Sequence, residues 1–126
     1  MAAPTRSALR IYTFARCATC RAALTWLQVR GLEVDPIDIT TQPPSHEELR
    51  AALEQLGRAR LFNTSGRSYR DLGPTAVKAM DDDQALRALA ADGRLVKRPF
   101  LITPAGRVLT GFRAQEWAEL LGFPPD

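Results

Sequence analysis

The chain has 126 residues, 45% of them hydrophobic, which suffices for one core, so we expect a single domain over residues 1–126. The formal charge of +3 is made of mixed signs along the chain, which does not indicate direct binding of nucleic acid. No apolar run approaches the ~20 residues of a membrane span and the start lacks the apolar stretch of a secretory signal, so we expect no membrane contact and a cytoplasmic location.

The first predicted unit is a strand followed by a helix. Residues 9–13, "LRIYT", alternate apolar and polar side chains, which is typical of a short strand. Beyond them Cys20, Leu24 and Leu27 are spaced as i, i+4 and i+7, which predicts a helix with one buried face. Gly31 marks the end of that helix.

A second strand is predicted at residues 32–39, "LEVDPIDI". Pro36 lies inside it and has no N–H to donate, so we expect the strand at an edge of the sheet. Since a helix connects the two strands, they should run parallel as a β-α-β unit.

The middle third is predicted to be helical. Ser45 and Glu48 have the spacing of a capping box before an apolar periodic stretch, and Asp81–Asp83 begin another helix by complementing its dipole. Between them, residues 61–74 are rich in turn formers, with room for one short helix. We therefore predict a helical insertion over about residues 45–95.

The last third predicts a strand hairpin and a helix. The runs "PFLIT" and "RVLTGF" are separated by "PAG", which indicates a hairpin, and "AQEWAELLG" has helical periodicity. The order is β-α-β, helices, then β-β-α. We therefore predict a thioredoxin-like mixed α/β sheet with a helical insertion.

A Cys-x-x-Cys pair lies where the first strand meets its helix. We expect Cys17 at the N-cap, where unpaired amides and the positive helix end lower the pKa of its thiol, with Arg16 and Arg21 acting in the same direction. Cys20, one turn on and facing inward, is the candidate resolving thiol. Because a reducing compartment seldom keeps structural disulfides, the pair indicates either redox chemistry or simple packing.

Two other kinds of site need residues that the chain lacks. A zinc site needs four ligands, whereas the chain has two Cys and one His, His46. Zinc would therefore have to be shared between two chains. We predict no metal and no cofactor. A phosphatase-type loop needs an Arg six places after Cys17, where Ala23 stands. The helix-start amides could still cradle an oxyanion, with Thr19 as a hydroxyl donor.

Two more segments bear on the site. In a thioredoxin-like fold a cis-proline before the third strand faces the active cysteine, so Pro99 is the candidate and Arg98 would lie beside Cys17. In "NTSG", Asn63 fits either ordinary turn chemistry or a polar contact with substrate.

Several motifs in order, "IYTFARCATCRAAL", "PPSHEEL", "LFNTSG", "LAADGRLVKRPFLIT" and a late "GF", resemble the ArsC/Spx family of thioredoxin-like proteins over about residues 9–121. The family contains arsenate reductases and the Spx regulators, which bind RNA polymerase. The resemblance implies that Cys17 is the nucleophile, Arg21 the Arg of its loop and Arg98 the Arg before the cis-proline.

The chain departs from the glutaredoxin-coupled arsenate reductases at several places. Those enzymes have Ser where this chain has Cys20, and two further substrate arginines that align with Asn63 and Gly111. Arg67 or Arg113 could replace those arginines.

The resemblance implies reduction of arsenate or a similar oxyanion, with an internal Cys17–Cys20 disulfide. Thioredoxin would then recycle the disulfide, with glutaredoxin or glutathione as the alternative reductant. Two alternatives stay open: an Spx-like regulator that docks on the RNA polymerase α-subunit, and a general thiol-disulfide reductase.

Overall fold

The computed structural model describes residues 5–6 and 8–124. None of the helices in this part combines the length and apolarity that crossing a membrane requires. The strands are β1 (Thr5–Arg6), β2 (Arg10–Thr13), β3 (Leu32–Glu33), β4 (Ile37–Asp38), β5 (Phe100–Ile102) and β6 (Val108–Thr110). The α-helices are α1 (Ala18–Val29), α2 (His46–Leu56), α3 (Arg67–Leu72), α4 (Pro74–Ala79), α5 (Asp82–Ala91) and α6 (Ala114–Leu121). Short 3-10 helices occupy Arg58–Arg60 and Gly93–Leu95.

Four strands form the central sheet in the order β4-β2-β5-β6. β2 is parallel to β4, whereas the β2–β5 and β5–β6 pairs are antiparallel. α1 connects the parallel pair, α2 to α5 lie between β4 and β5, and α6 follows the hairpin. The predicted thioredoxin-like mixed sheet with its helical insertion is confirmed.

The segment at residues 32–39 corrects one prediction. It forms two short strands instead of one: β3 pairs with β1 in a separate two-stranded ladder, and β4 pairs with β2. The break includes Pro36, which cannot donate to a ladder, so the chain leaves one strand partner before it joins the next. The expected edge position is confirmed for β4, which is first in the sheet order.

The helices between β4 and β5 follow their caps. Ser45 and Glu48 form the predicted capping box of α2, and Asp81 caps α5 in the same way with Gln84. The short helix expected within residues 61–74 is α3. α4, which begins directly after it at Pro74, was not predicted, although proline suits the first position of a helix.

The two faces of the sheet bury two apolar clusters, and the partly buried Leu56 packs against both. Ile11 and Tyr12 are consecutive in β2 and belong to different clusters, because successive strand residues point to opposite faces. One cluster lies under α1 and α6 and contains Trp26 and Trp117. The other lies under the helical insertion; its members include Ile39, Leu49, Leu61, Phe62, Leu86, Leu89, Val96 and Phe100.

Side chains from the region of α2 bind the outer edge of β6. The N–H of Val108 donates to Oε1 of Gln55 over 2.9 Å, and Nε2 of Gln55 donates to the carbonyl of Gly106 over 2.8 Å. Nη2 of Arg60 donates to the carbonyl of Thr110 over 2.9 Å. These three hydrogen bonds fix β6 to α2 and to the 3-10 helix that follows α2.

Candidate active site

The turn between β2 and α1 carries Cys17. This residue is the N-cap of α1, with φ −88° and ψ 112°. The amide of Cys20 donates to Sγ of Cys17 over 3.3 Å, and the carbonyl of Cys17 accepts the first helical hydrogen bond, from Arg21 N–H over 3.1 Å. The predicted N-cap position of Cys17 is confirmed.

The pKa of Cys17 is lowered from the value of an ordinary thiol. Partial burial raises it, but hydrogen bonds from the side chain and amide of Cys20 outweigh that effect, together with the hydrogen bonding and charge of Arg98. Since the thiolate is the nucleophilic form of cysteine, the helix start holds a side chain prepared for attack.

Cys20 has the opposite shift. Its side chain is fully buried, and burial, together with the hydrogen bond and charge of the Cys17 thiolate, raises the pKa of Cys20 to about 12. Both cysteines are free thiols. The pair therefore consists of one thiol that ionises readily and one that stays protonated beside it.

Arg98 is held by a backbone arrangement that the sequence predicted. The Arg98–Pro99 peptide bond is cis, as expected. Backbone hydrogen bonds of 2.8 Å tie residues 61–63 to residues 95–97, just before this bond. The guanidinium carbon of Arg98 lies 5.0 Å from the ring centre of Phe14, in the turn that carries the reactive thiol.

A cavity of about 490 Å³ opens at the thiol of Cys17. Small-molecule sites usually have volumes of roughly 300–1,000 Å³, so it is large enough for an oxyanion or a small organic ligand. Of the predicted site residues, Thr19, Asn63 and Arg98 line this cavity with Cys17. Pro99 is buried and is not among the described residues that line it.

Arg21 is placed differently from the expectation. Its Nη1 donates to the carbonyl of Ala15 over 2.9 Å, and its side chain lines a separate groove beside Trp26. A guanidinium that lowers the pKa of Cys17 is that of Arg98, through its hydrogen bond and its charge. The loop arginine thus stabilises the turn from outside the cavity.

Three more cations line the cavity: Arg60, Lys97 and Arg113. Of the two arginines considered as replacements for the family's substrate arginines, Arg113 lies in the lining and Arg67 does not. Lys97 directly precedes Arg98 in "VKRP", so its place beside the cis-proline could be read from the sequence. Arg60 lies in a 3-10 turn far along the chain from Cys17, and no local pattern indicated it.

Asn63 fits both of its alternatives. Its carbonyl accepts from the N–H of Gly66 over 3.3 Å, and its Oδ1 accepts from the hydroxyl of Ser65 over 3.2 Å, which are the contacts of a turn. Its side chain also lines the cavity. A turn residue is therefore also available to a ligand.

Within residues 5–6 and 8–124, no group of three or more His, Cys, Asp or Glu is arranged to hold a metal ion. His46 lies at the start of α2, with Nε2 3.7 Å from a carboxylate oxygen of Asp83. The one histidine of the sequence therefore lies beside an exposed acidic residue of α5.

Comparison with known proteins gives matches along most of the chain. A model of the ArsC family matches residues 12–120. The uncharacterized protein YusI of Bacillus subtilis is 42% identical over 114 residues, which are 88% of this chain and 96% of that protein. An arsenate reductase of Neisseria meningitidis is 30% identical over 97 residues, 75% of this chain and 82% of the reductase.

A regulator and a solved structure give further matches. The global transcriptional regulator Spx of Lactiplantibacillus plantarum is 22% identical over 108 residues, 84% of this chain and 80% of the regulator. The crystal structure of a possible arsenate reductase from Streptococcus mutans has a TM-score of 0.79 and 36% sequence identity, covering 88% of this chain and 98% of that chain.

Proposed function

The chain belongs to the ArsC family, and from this premise we propose that it is a thiol-dependent arsenate reductase. The observation that carries the proposal is a helix-capping Cys17 with a lowered pKa, in a cavity that Arg98 also lines. A nucleophile and a cation on the same cavity suit attack on an oxyanion. The relatives named arsenate reductase support the same reaction.

In the first step, the Cys17 thiolate attacks arsenic. A sulfur–arsenic bond forms, and one arsenate oxygen takes up two protons and leaves as water, while arsenic stays at +5. The charge on the remaining oxygens is stabilised by the guanidinium of Arg98 and by hydrogen-bond donors of the cavity such as Thr19 and Asn63.

In the second step, the Cys20 thiolate attacks Sγ of Cys17. The sulfur–sulfur bond forms as the sulfur–arsenic bond breaks, and its electron pair goes to arsenic, which leaves as arsenite at +3. Two thiols have then become one disulfide. Cys20 must lose its proton first, and the adduct makes this easier because the Cys17 thiolate charge, one cause of the raised pKa of Cys20, is gone.

We propose thioredoxin as the reductant of the Cys17–Cys20 disulfide. Because the resolving thiol belongs to the same helix, the product is an internal disulfide, and no first mixed disulfide with glutathione is needed. A dithiol protein can reduce such a bond by the same exchange chemistry.

The test couples the protein to thioredoxin, thioredoxin reductase and NADPH. We expect NADPH use that depends on arsenate, with one arsenite per NADPH, and its loss in Cys17→Ser and Cys20→Ser. Arg107→Gln, which changes an exposed residue of the β5–β6 hairpin, is the matched control. Unchanged turnover in Cys17→Ser would overturn the proposal; reduction of a model disulfide without a response to arsenate would instead indicate a general thiol-disulfide reductase.

A second candidate is an Spx-like regulator, favoured by the similarity to Spx and by the adjacent thiols. In this alternative, oxidation of Cys17 and Cys20 alters docking on the α-subunit of RNA polymerase. The check is a pull-down with purified polymerase under reducing and oxidising conditions. If neither condition retains polymerase, this candidate is eliminated.

A further inference from the structure

One wall of the active-site cavity carries an ion pair. Nη1 and Nη2 of Arg60 donate to the two carboxylate oxygens of Glu116 over 2.9 and 2.8 Å. Nη2 also donates to the carbonyl of Thr110, whose hydroxyl donates back to the carbonyl of Arg60 over 2.6 Å. Arg60 therefore lines the cavity with its charge balanced and its donors in use.

Lys97 and Arg113 line the same cavity without such a partner. Within the described part of the chain, neither side chain makes a hydrogen bond or an ion pair. Their positive charges reach Glu116 without contacting it. The pKa of Glu116 is lowered first by the hydrogen bond from Arg60 and, more weakly, by the charges of Arg113 and Lys97. These two cations thus face the cavity with their donors unused.

Gly111 explains how Lys97 fits there. This glycine has a φ of +70°, and a Cβ built on it would lie 3.2 Å from Cε of Lys97. A side chain at position 111 would require the end of Lys97 to move by a few tenths of an ångström. Position 111, which the resemblance aligns with a substrate arginine of the reductases, carries no side chain in this chain, and the Lys97 stem runs beside it.

We propose that Lys97 and Arg113, together with Arg98, hold a dianionic oxyanion, and that Glu116 sets the cavity charge by keeping Arg60 in its ion pair. This inference rests on the proposed function. Four cations line the cavity, and one of them, Arg60, is balanced by the Glu116 carboxylate, so that the net charge is +2 when Cys17 is in its thiolate form. Such a charge is neutralised by a dianion such as arsenate or phosphate, so these residues determine specificity for doubly charged tetrahedral anions.

The experiment measures protection of Cys17 instead of turnover. Iodoacetamide, which is uncharged, alkylates the reduced full-length protein at Cys17, and inorganic phosphate at constant ionic strength should slow the reaction. We expect Lys97→Gln and Arg113→Gln each to raise the half-protecting phosphate concentration about tenfold, since each variant loses a charged hydrogen-bond donor to the anion. Arg107→Gln should leave it unchanged.

Substituting either residue of the ion pair gives a sharper test, because the two substitutions should change the half-protecting phosphate concentration in opposite directions. Glu116→Gln frees the charge of Arg60 and should lower the half-protecting concentration roughly twofold to fivefold, whereas Arg60→Gln leaves Glu116 unbalanced and should raise it. A purely structural pair would give changes of the same sign, because either substitution breaks the same contact. Urea unfolding of each variant confirms that a folded protein is being compared.

The outcomes separate this inference from the reductase proposal. Phosphate protection that depends on Lys97 and Arg113, without release of arsenite from arsenate, would end the reductase proposal and support the inference. No protection of the wild type, or equal protection in wild type and both variants, would overturn the inference whether or not arsenate is reduced. Shifts of the same sign in Glu116→Gln and Arg60→Gln would overturn the role of the ion pair.

Discussion

At the scale of single residues, two cysteines one helical turn apart are prepared for different tasks. Cys17 receives an amide hydrogen bond at 3.3 Å and the charge of Arg98, so its thiol ionises more readily than usual. Cys20 is buried beside it, and burial, together with its hydrogen bond to Cys17, raises the pKa of Cys20 to about 12. The proposed assignment of attack to Cys17 and resolution to Cys20 rests on these different surroundings, since the two side chains are chemically identical.

The reactivity of Cys17 should follow pH accordingly. We expect its alkylation by iodoacetamide to rise with an inflection below that of an ordinary thiol. In Arg98→Gln the inflection should move to higher pH, because a hydrogen bond and a positive charge that favour the thiolate are lost. Rates measured by intact mass from pH 5 to pH 10 test this, with Arg107→Gln as control. An inflection in Arg98→Gln that matches the wild type would contradict it.

A residue of the site could be predicted from sequence where its partners lie close to it along the chain. Cys17 and the Arg98–Pro99 bond were predicted because a strand-to-helix turn and a dipeptide carry their own signals. Arg60 and Glu116 are 56 positions apart, so no spacing rule connects them. The sequence therefore indicated the thiol with the lowered pKa and the arginine beside it, but not the charge balance of the cavity.

At the scale of elements, both hydrogen bonds of the predicted capping box of α2 are present. Oγ of Ser45 accepts from the amide of Glu48 over 3.1 Å, and Oε1 of Glu48 accepts from the amide of Ser45 over 2.9 Å. The same carboxylate oxygen accepts from the hydroxyl of Tyr12 over 2.7 Å, so the helix start is also fixed to β2.

Ser45→Ala should therefore lower the free energy of unfolding by about 1 kcal/mol, the usual cost of losing an N-cap side chain. Urea denaturation followed by circular dichroism measures it. Thr25→Ala, an exposed substitution in the middle of α1, should be neutral or slightly stabilising. A Ser45→Ala protein as stable as the wild type would show that the cap contributes nothing.

The elements that sequence reasoning missed were decided by tertiary pairing. Residues 32–39 have the composition of one strand, yet the two halves find different partners, β1 and β2, on either side of Pro36. α4 starts at Pro74 only one residue after α3, so a turn-rich stretch gave no clear sign of two helices. A strand break of this kind depends on which strands lie opposite its two halves.

At the scale of the whole molecule, the two apolar clusters are separated by the sheet, so they should contribute independently to stability. Ile11→Val and Ile39→Val each remove one methylene from a different cluster and should each cost about 0.5–1.5 kcal/mol. The double variant should lose the sum, to within about 0.5 kcal/mol. Urea unfolding of the four proteins tests this, and a larger deviation would mean that the two faces respond as one.

The contacts of Gln55 and Arg60 with β6 have a consequence for the behaviour of the protein in concentrated solution. An outermost strand usually offers free amides and carbonyls to another chain, which can extend the sheet and start aggregation. Here the amide of Val108 and the carbonyl of Thr110 already have partners. The molecule thus blocks edge-to-edge association at this strand with two side chains of its own.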